Sequence, residues 1–355
     1  MLLFDAHLDI SMNAIEWNRD VSRPLEEVRR REAGLDDKLD RRLGVLTLDE
    51  MRRGEIGICI ATQIGRYVGE TNPLPGWNSP EIAWSITQAQ LSWYREMERL
   101  GQMTQITDRD GLNRHVHLWQ NNPPADAPIG YVLSLEGADS ILSPAHLERA
   151  YEYGLRAIGP AHYGGGRYSP GTGETGGLTE LGRELLRQMI DLGIVLDATH
   201  LTDEAFWEAL ELYDGPVWAS HNNCRELTPH QRQFSDDQIK ALLERDAVIG
   251  MAFDAWMMVP NWVRGVTDPQ QAGVTIETIV KHIDHIAQLA GSTRNIGIGS
   301  DLDGGFGKEQ APHDMDSIAD LQSLTEILAR RGYSEEDITG IMHGNWIRRL
   351  NEIWS

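Results

Sequence analysis

Cysteine is nearly missing from this chain of 355 residues: only Cys59 and Cys224 occur, too few and too far apart for a disulfide framework. A reducing compartment fits that usage. No run of about 18 apolar residues exists, and the N-terminus has no basic segment leading into an apolar h-region. The expectation is a cytoplasmic chain with no anchor and no membrane partner. Positive charge is scarce, with 32 Lys and Arg against 54 Asp and Glu and a formal net charge of -22, which disfavours a phosphate backbone as partner. Nucleic acid is excluded on that ground. Fixed-period repeats and low-complexity tracts are also lacking, which removes solenoids and disordered tails from consideration.

What is present is a series of short β-branched runs bounded by turn residues. Eight read as strands: "LLFDAHLDI", "EIGICIATQIG", "IGYVLSLEGAD", "LRAIGPAH", "GIVLDATHL", "GPVWASHN", "AVIGMAF" and "NIGIGSDLDG". Amphipathic stretches with helix-start signals lie between them, such as Ser79-Pro80-Glu81 and Thr202-Asp203-Glu204. Strands alternating with helices imply right-handed crossovers and a parallel sheet, and eight such units close into a (β/α)8 TIM barrel. A doubly wound open sheet is the rival, but no G-x-G-x-x-G follows the first strand. We expect one barrel domain over residues 1–355, with long loops at about 11–45, 66–80, 163–178 and 254–274 over its mouth.

The first segment carries Asp5, His7 and Asp9 at alternate positions, which on a regular strand places all three on one face. Polar residues recur near the ends of other strands: Glu136, His162, His200, His221 and Asp301. Barrel enzymes keep their chemistry at those ends. Imidazoles with carboxylates suit divalent zinc, and a shared carboxylate could bridge two ions. Each residue alone has a plain reading. His200 could flank a helix, His221 could sit in a turn, and Asp301 and Asp303 could cap a loop. Glu136 is harder to dismiss, because a carboxylate ending an apolar strand loses hydration unless a cation or several donors satisfy it. The H-x-H of His115 and His117 lies away from any strand's carboxyl end, and His282 and His285 fall on a helix pattern, as does His146. All five read as packing or surface residues.

With these residues in view, the chain resembles the membrane (renal) dipeptidase family of the amidohydrolase superfamily. The resemblance rests on "DAHLD", "LDEMRRGEIGICIATQI", "SLEGAD", "GLRAIGPAH", "GLTELGRELLRQMIDLGIVLDATHLT", "GPVWASHNNCRELTPHQRQFSDDQI", "NIGIGSDLDG" and "IMHGNWIRRL", in that order along nearly the whole chain. It implies two Zn2+ ions per subunit, with His7 and Asp9 on one, His200 and His221 on the other, and Glu136 bridging. It further implies that His162 hydrogen-bonds the substrate carbonyl oxygen, Arg232 grips the free carboxylate of a dipeptide, and Asp301 shuttles a proton from a bridging hydroxide to the leaving amine. Such a centre lowers the pKa of a bridging water and polarises the scissile carbonyl. A forked guanidinium suits bidentate carboxylate recognition, although Arg232 also reads as a surface arginine and Arg225 lies closer to His221.

The expected function is a zinc dipeptidase whose substrates include L-Xaa-D-Xaa dipeptides. Two alternatives stand beside it: an amidohydrolase acting on a lactone, cyclic amide or amine-bearing ring, and a metal-holding interaction protein without catalysis. Trp77, Trp256, Met257, Met258 and Trp262 are candidates to line the side-chain pocket, with plain packing as the competing reading. The family resemblance also implies a homodimer, with "IMHGNWIRRLNEIWS" apolar enough to pack on its own barrel or on a partner copy.

Overall fold

A computed structural model describes residues 1–70, 72–121 and 123–355, so Thr71 of the expected 66–80 loop and Asn122 lie outside the described residues. Its strands are β1 (Leu3–Leu8), β2 (Ile56–Ile64), β3 (Met103–Gln105), β4 (Ile129–Glu136), β5 (Leu155–Gly159), β6 (Val195–Asp197), β7 (Val217–Trp218), β8 (Ile249–Met251) and β9 (Ile296–Ile298). All pair in parallel, in the order β7-β6-β5-β4-β2-β1-β9-β8. The ring closes through Ala219, whose N–H donates to Val248 O at 3.0 Å and whose carbonyl accepts from Gly250 N at 2.8 Å. This is the expected eight-stranded barrel. The short β3 is additional and pairs only with β4, off the ring.

The strands are buried because helices cover them outside and side chains fill them inside. Phe4, Ile58, Val132, Val195, Trp218 and Val248 form the inner layer, all at most 1% exposed. The C-terminal helix Asn345–Ile353 plugs the end away from the strand tips. Its Trp346 stacks on Phe4 with centroids 6.0 Å apart, meets Trp218 at 5.7 Å, and donates from Nε1 to Ile298 O at 3.0 Å. The apolar C-terminal segment thus packs on its own barrel.

β1 departs from regular alternation. Its partners in β2 run Asp5 to Cys59 and then Leu8 to Ala61, so three steps on β1 match two on β2. Such a one-residue slip re-aims side chains, as bulges near active sites do. Asp5 and His7 therefore part company. The Asp5 carboxylate accepts from Ser300 N at 2.8 Å, Ser300 Oγ at 2.5 Å and His7 N at 3.2 Å, and ties β1 to the turn after β9. His7 turns toward the strand ends with Asp9. Among the described residues no helix is long and apolar enough to cross a membrane.

Candidate metal centre

Six strands deliver the residues, and the delivery follows one rule. His162, His200, His221 and Asp301 each stand three residues past the end of β5, β6, β7 and β9, while Glu136 ends β4 and His7 and Asp9 end β1. The carboxylate of Glu136 is the hub. Its Oε1 lies 3.1 Å from His200 Nε2, 3.5 Å from His221 Nε2 and 3.6 Å from His7 Nε2, and its Oε2 lies 3.7 Å from His162 Nε2. His7 Nε2 is also 3.9 Å from Asp9 Oδ1 and 3.8 Å from Asp301 Oδ1. Among the described residues, every group of three potential ligands within reach of one ion belongs to this cluster. Those groups are His7 with His221 and Asp301, His7 with Asp9 and Glu136, and Glu136 with His162 and His200.

Local structure orients each ring. His200 Nδ1 faces Thr172 Oγ1 at 2.8 Å and His221 Nδ1 faces Ser220 Oγ at 2.9 Å. Ser220 is fixed in turn by Asp197, whose carboxylate accepts from Ser220 N at 3.0 Å and Thr199 N at 3.1 Å. Hydroxyl partners of this kind hold a ring with its other nitrogen turned inward. His200 and Asp301 have φ of 69° and 60°, in the left-handed region that costs a non-glycine residue about 1–3 kcal/mol. Gly304 has to be glycine, since a Cβ there would meet Asp301 Oδ1 at 1.9 Å.

Burial sets the electrostatics of the cluster. Burial, reinforced by Asp9 and Asp301, pushes the Glu136 carboxyl well above its ordinary range, and burial does the same to Asp301. Asp9 rises to about 7 through burial and the charge of Glu16. Burial drives His200 and His221 well below 6.5 and His7 to about 3. Neutral imidazoles beside buried carboxylates make a donor set that suits a divalent cation. His7 Nε2 and Asp9 Oδ1 are buried with no hydrogen-bond partner, which points the same way. The residues fit divalent metal.

Arg232 is 3% exposed and lines the innermost pocket of about 40 Å³ with the cluster. Its Nη1 donates to Asn222 Oδ1 and its Nη2 to His221 O at 2.9 Å, while Nε has no partner. Arg225 instead forks onto Asp203 at 2.6 and 2.9 Å, so the nearer arginine is occupied elsewhere. An outer cavity of about 840 Å³ opens above, sharing Asp9, His162, Tyr163 and Arg264 with the inner pocket. Trp77 lines the outer cavity and Met257 the inner one. Trp256, Met258 and Trp262 line neither. Trp256 packs on His230, Met258 is core, and Trp262 reaches Gln310.

Sequence reasoning missed Arg66, Tyr163 and Arg264. Arg66 stands two residues past β2, so the strand-end rule, applied to that strand as to the others, would have found it. The remaining histidines stand apart from the cluster, with His117 and His313 on the surface. His115 Nε2 meets Gly57 O at 3.0 Å, and His285 pairs with Asp236 at 2.7 Å. His282 is 1% exposed, more enclosed than an outer helix face implies; it accepts from Cys224 N at 3.1 Å and meets Met258 O at 3.1 Å. Cys59 and Cys224 are buried and unpaired.

A parallel barrel with a histidine and carboxylate cluster at its strand ends is the architecture of a metal-dependent hydrolase of the amidohydrolase type. The model of the membrane dipeptidase family, peptidase family M19, matches residues 1–354, and the chain belongs to that family. A metallopeptidase from Rhodobacter sphaeroides, solved with a phosphinate mimic of the dipeptide L-Ala-D-Ala, superposes with a TM-score of 0.80 at 23% identity, covering 100% of this chain and 99% of that one. An uncharacterized dipeptidase of Schizosaccharomyces pombe is 30% identical over 62% of this chain, and a dipeptidase of Claviceps purpurea is 29% identical over 63%. The chain spans about half the length of these two curated relatives, 52% of each.

Proposed function

We propose that the chain is a binuclear zinc dipeptidase that hydrolyses dipeptides with a free C-terminal carboxylate, L-Xaa-D-Xaa substrates among them. The observation that carries this reading is the hub at Glu136, with three inward imidazoles around one carboxylate oxygen and a buried guanidinium beside them. His7 and Asp9 would hold one ion, His200 and His221 the other, with Glu136 shared. When bound, the ions supply a Lewis acid for the scissile carbonyl and an attacking water of lowered pKa.

The chain's own groups do the rest. Arg232 offers its free Nε–H and a fixed positive charge to the substrate carboxylate, which sets the register of the peptide in the inner pocket. His162 aims Nε2 into the centre, at hydrogen-bond reach of a carbonyl placed beside Glu136. Asp301 takes the attacking water's proton and delivers it to the leaving amine, from a position 3.8 Å from His7 Nε2 at the edge of the cluster. The outer cavity accepts the N-terminal side chain against Trp77. The experiment is a panel including L-Ala-D-Ala and L-Leu-D-Ala with the metal content measured; absence of turnover with two ions bound per chain refutes the assignment.

A second reading draws on the commitment of both terminal nitrogens of Arg232 to Asn222 and His221. In that reading the arginine braces the wall, and the substrate is a neutral ring. Arg232→Met separates the two: a dipeptidase loses substrate binding, while a ring hydrolase retains its KM.

A further inference from the structure

We propose that Arg66 is a positioning residue that holds His162 as the neutral tautomer with its proton on Nε2, making that ring a hydrogen-bond donor and keeping it off the metal ions. Arg66 Nη2 lies 2.5 Å from His162 Nδ1. A guanidinium has five N–H donors and no acceptor, so Nδ1 must be the accepting nitrogen. A neutral imidazole that accepts at Nδ1 carries its hydrogen at Nε2. That nitrogen points to the centre, 3.7 Å from Glu136 Oε2. An N–H there has no lone pair for a cation.

This resolves an ambiguity in the cluster. By distance alone, Glu136, His162 and His200 form as good a ligand group as the other two. What stands behind each ring differs. Thr172 Oγ1 behind His200 and Ser220 Oγ behind His221 are hydroxyls able to accept an N–H, which leaves Nε2 free to ligate. Arg66 behind His162 forbids that arrangement.

The guanidinium is itself fixed. Arg66 Nη1 donates to Pro75 O at 2.8 Å, and the backbone pairs with Trp77, whose N–H donates to Arg66 O at 2.8 Å. Its Nε is buried without any partner, so the side chain is held by these contacts and not by an ideal ion pair. The wall of the outer cavity thereby sets the proton position of a ring at its floor.

The kinetic part of this inference rests on the dipeptidase reading, and the spectroscopic part does not. In metal-free protein carrying 15N-histidine, long-range 1H–15N correlation should show His162 protonated at Nε2, with His162→Asn used for assignment. Arg66→Met should release the ring to the Nδ1–H or a mixed form, and Arg66→Lys should retain Nε2–H through its remaining donor. Cobalt-substituted Arg66→Met should show a changed visible spectrum as His162 enters the coordination sphere, and the double variant with His162→Asn should revert. Against a cleaved dipeptide, Arg66→Met should lower kcat about 100–1000-fold with KM little changed, the range for loss of one oxyanion donor. Arg66→Lys should recover much of that loss. Wild-type His162 protonated at Nδ1, or an unchanged tautomer in Arg66→Met, overturns the proposal. If no dipeptide is cleaved, the dipeptidase reading fails while the tautomer measurement still decides Arg66; if Arg66→Met does not fold, the wild-type and Arg66→Lys spectra decide it.

Discussion

His200 and His162 approach the same carboxylate from neighbouring strands, at 3.1 Å from Glu136 Oε1 and 3.7 Å from Oε2, and both rings are enclosed. They differ in the group at the far nitrogen: a hydroxyl for His200, a guanidinium for His162. Inward geometry alone makes them equivalent. On the proposed reading the outer contact decides whether the inner nitrogen offers a lone pair or a proton, so the division between an ion-holding and a substrate-facing side of Glu136 would be set one residue away from the centre.

The largest effect that would sharpen this contrast comes from the ion-holding side. His200→Ala or His221→Ala should cost one bound ion, read by elemental analysis, and lower kcat/KM by more than about 1000-fold, the several kcal/mol that a Lewis acid contributes. His162→Ala should leave two ions in place. A smaller effect is expected at Arg232, where Arg232→Met should raise KM about 10–100-fold, matching one charge-assisted hydrogen bond, with metal content unchanged. Smaller again is Thr172→Val. It should weaken metal retention against a chelator about 10-fold without altering the His162 tautomer, and an equal change at both rings would break the comparison.

The smallest effect concerns the brace behind the His221 side. Burial lowers His282 to about 4 from an ordinary 6.5, and its Nδ1 accepts from Cys224 N. Because the folded value is the lower one, the unfolded chain takes the proton first, and the ring's contribution is intact above about pH 6.5 and lost as pH falls toward 4. Urea midpoints measured across that window should decline less steeply in His282→Gln than in wild type.

Most of the barrel was legible because eight strands are apolar runs framed by turn residues. The cluster around Glu136 was legible because a carboxylate or imidazole at the end of an apolar strand is costly to bury unless a cation or a donor satisfies it. What escaped had no pattern to read. β3 is three residues long, Met103–Gln105, with one buried side chain. The slip in β1 changes no residue type and left no trace in the alternation, although the position of Asp5 deeper in the strand than His7 and Asp9 already marked it as a barrel-interior residue. Arg66 is the exception: it stands past β2 where the strand-end rule points, but an arginine there is usually solvated, and only histidines and carboxylates were weighed at the strand ends. Trp256, Met258 and Trp262 show the converse, because apolar loop residues read alike whether they line a cavity or pack beneath it.

The plug at Trp346 bears on the order in which the molecule is made. Every group at the centre, from His7 to Asp301, leaves the ribosome before the side chain that seals the barrel floor. β1 also waits for β9, its ring neighbour almost the whole chain away. A nascent chain therefore carries seven prospective metal-binding groups, Asp301 and His162 among them, while it has no closed interior to hold them apart, and ions met during synthesis encounter flexible ligands.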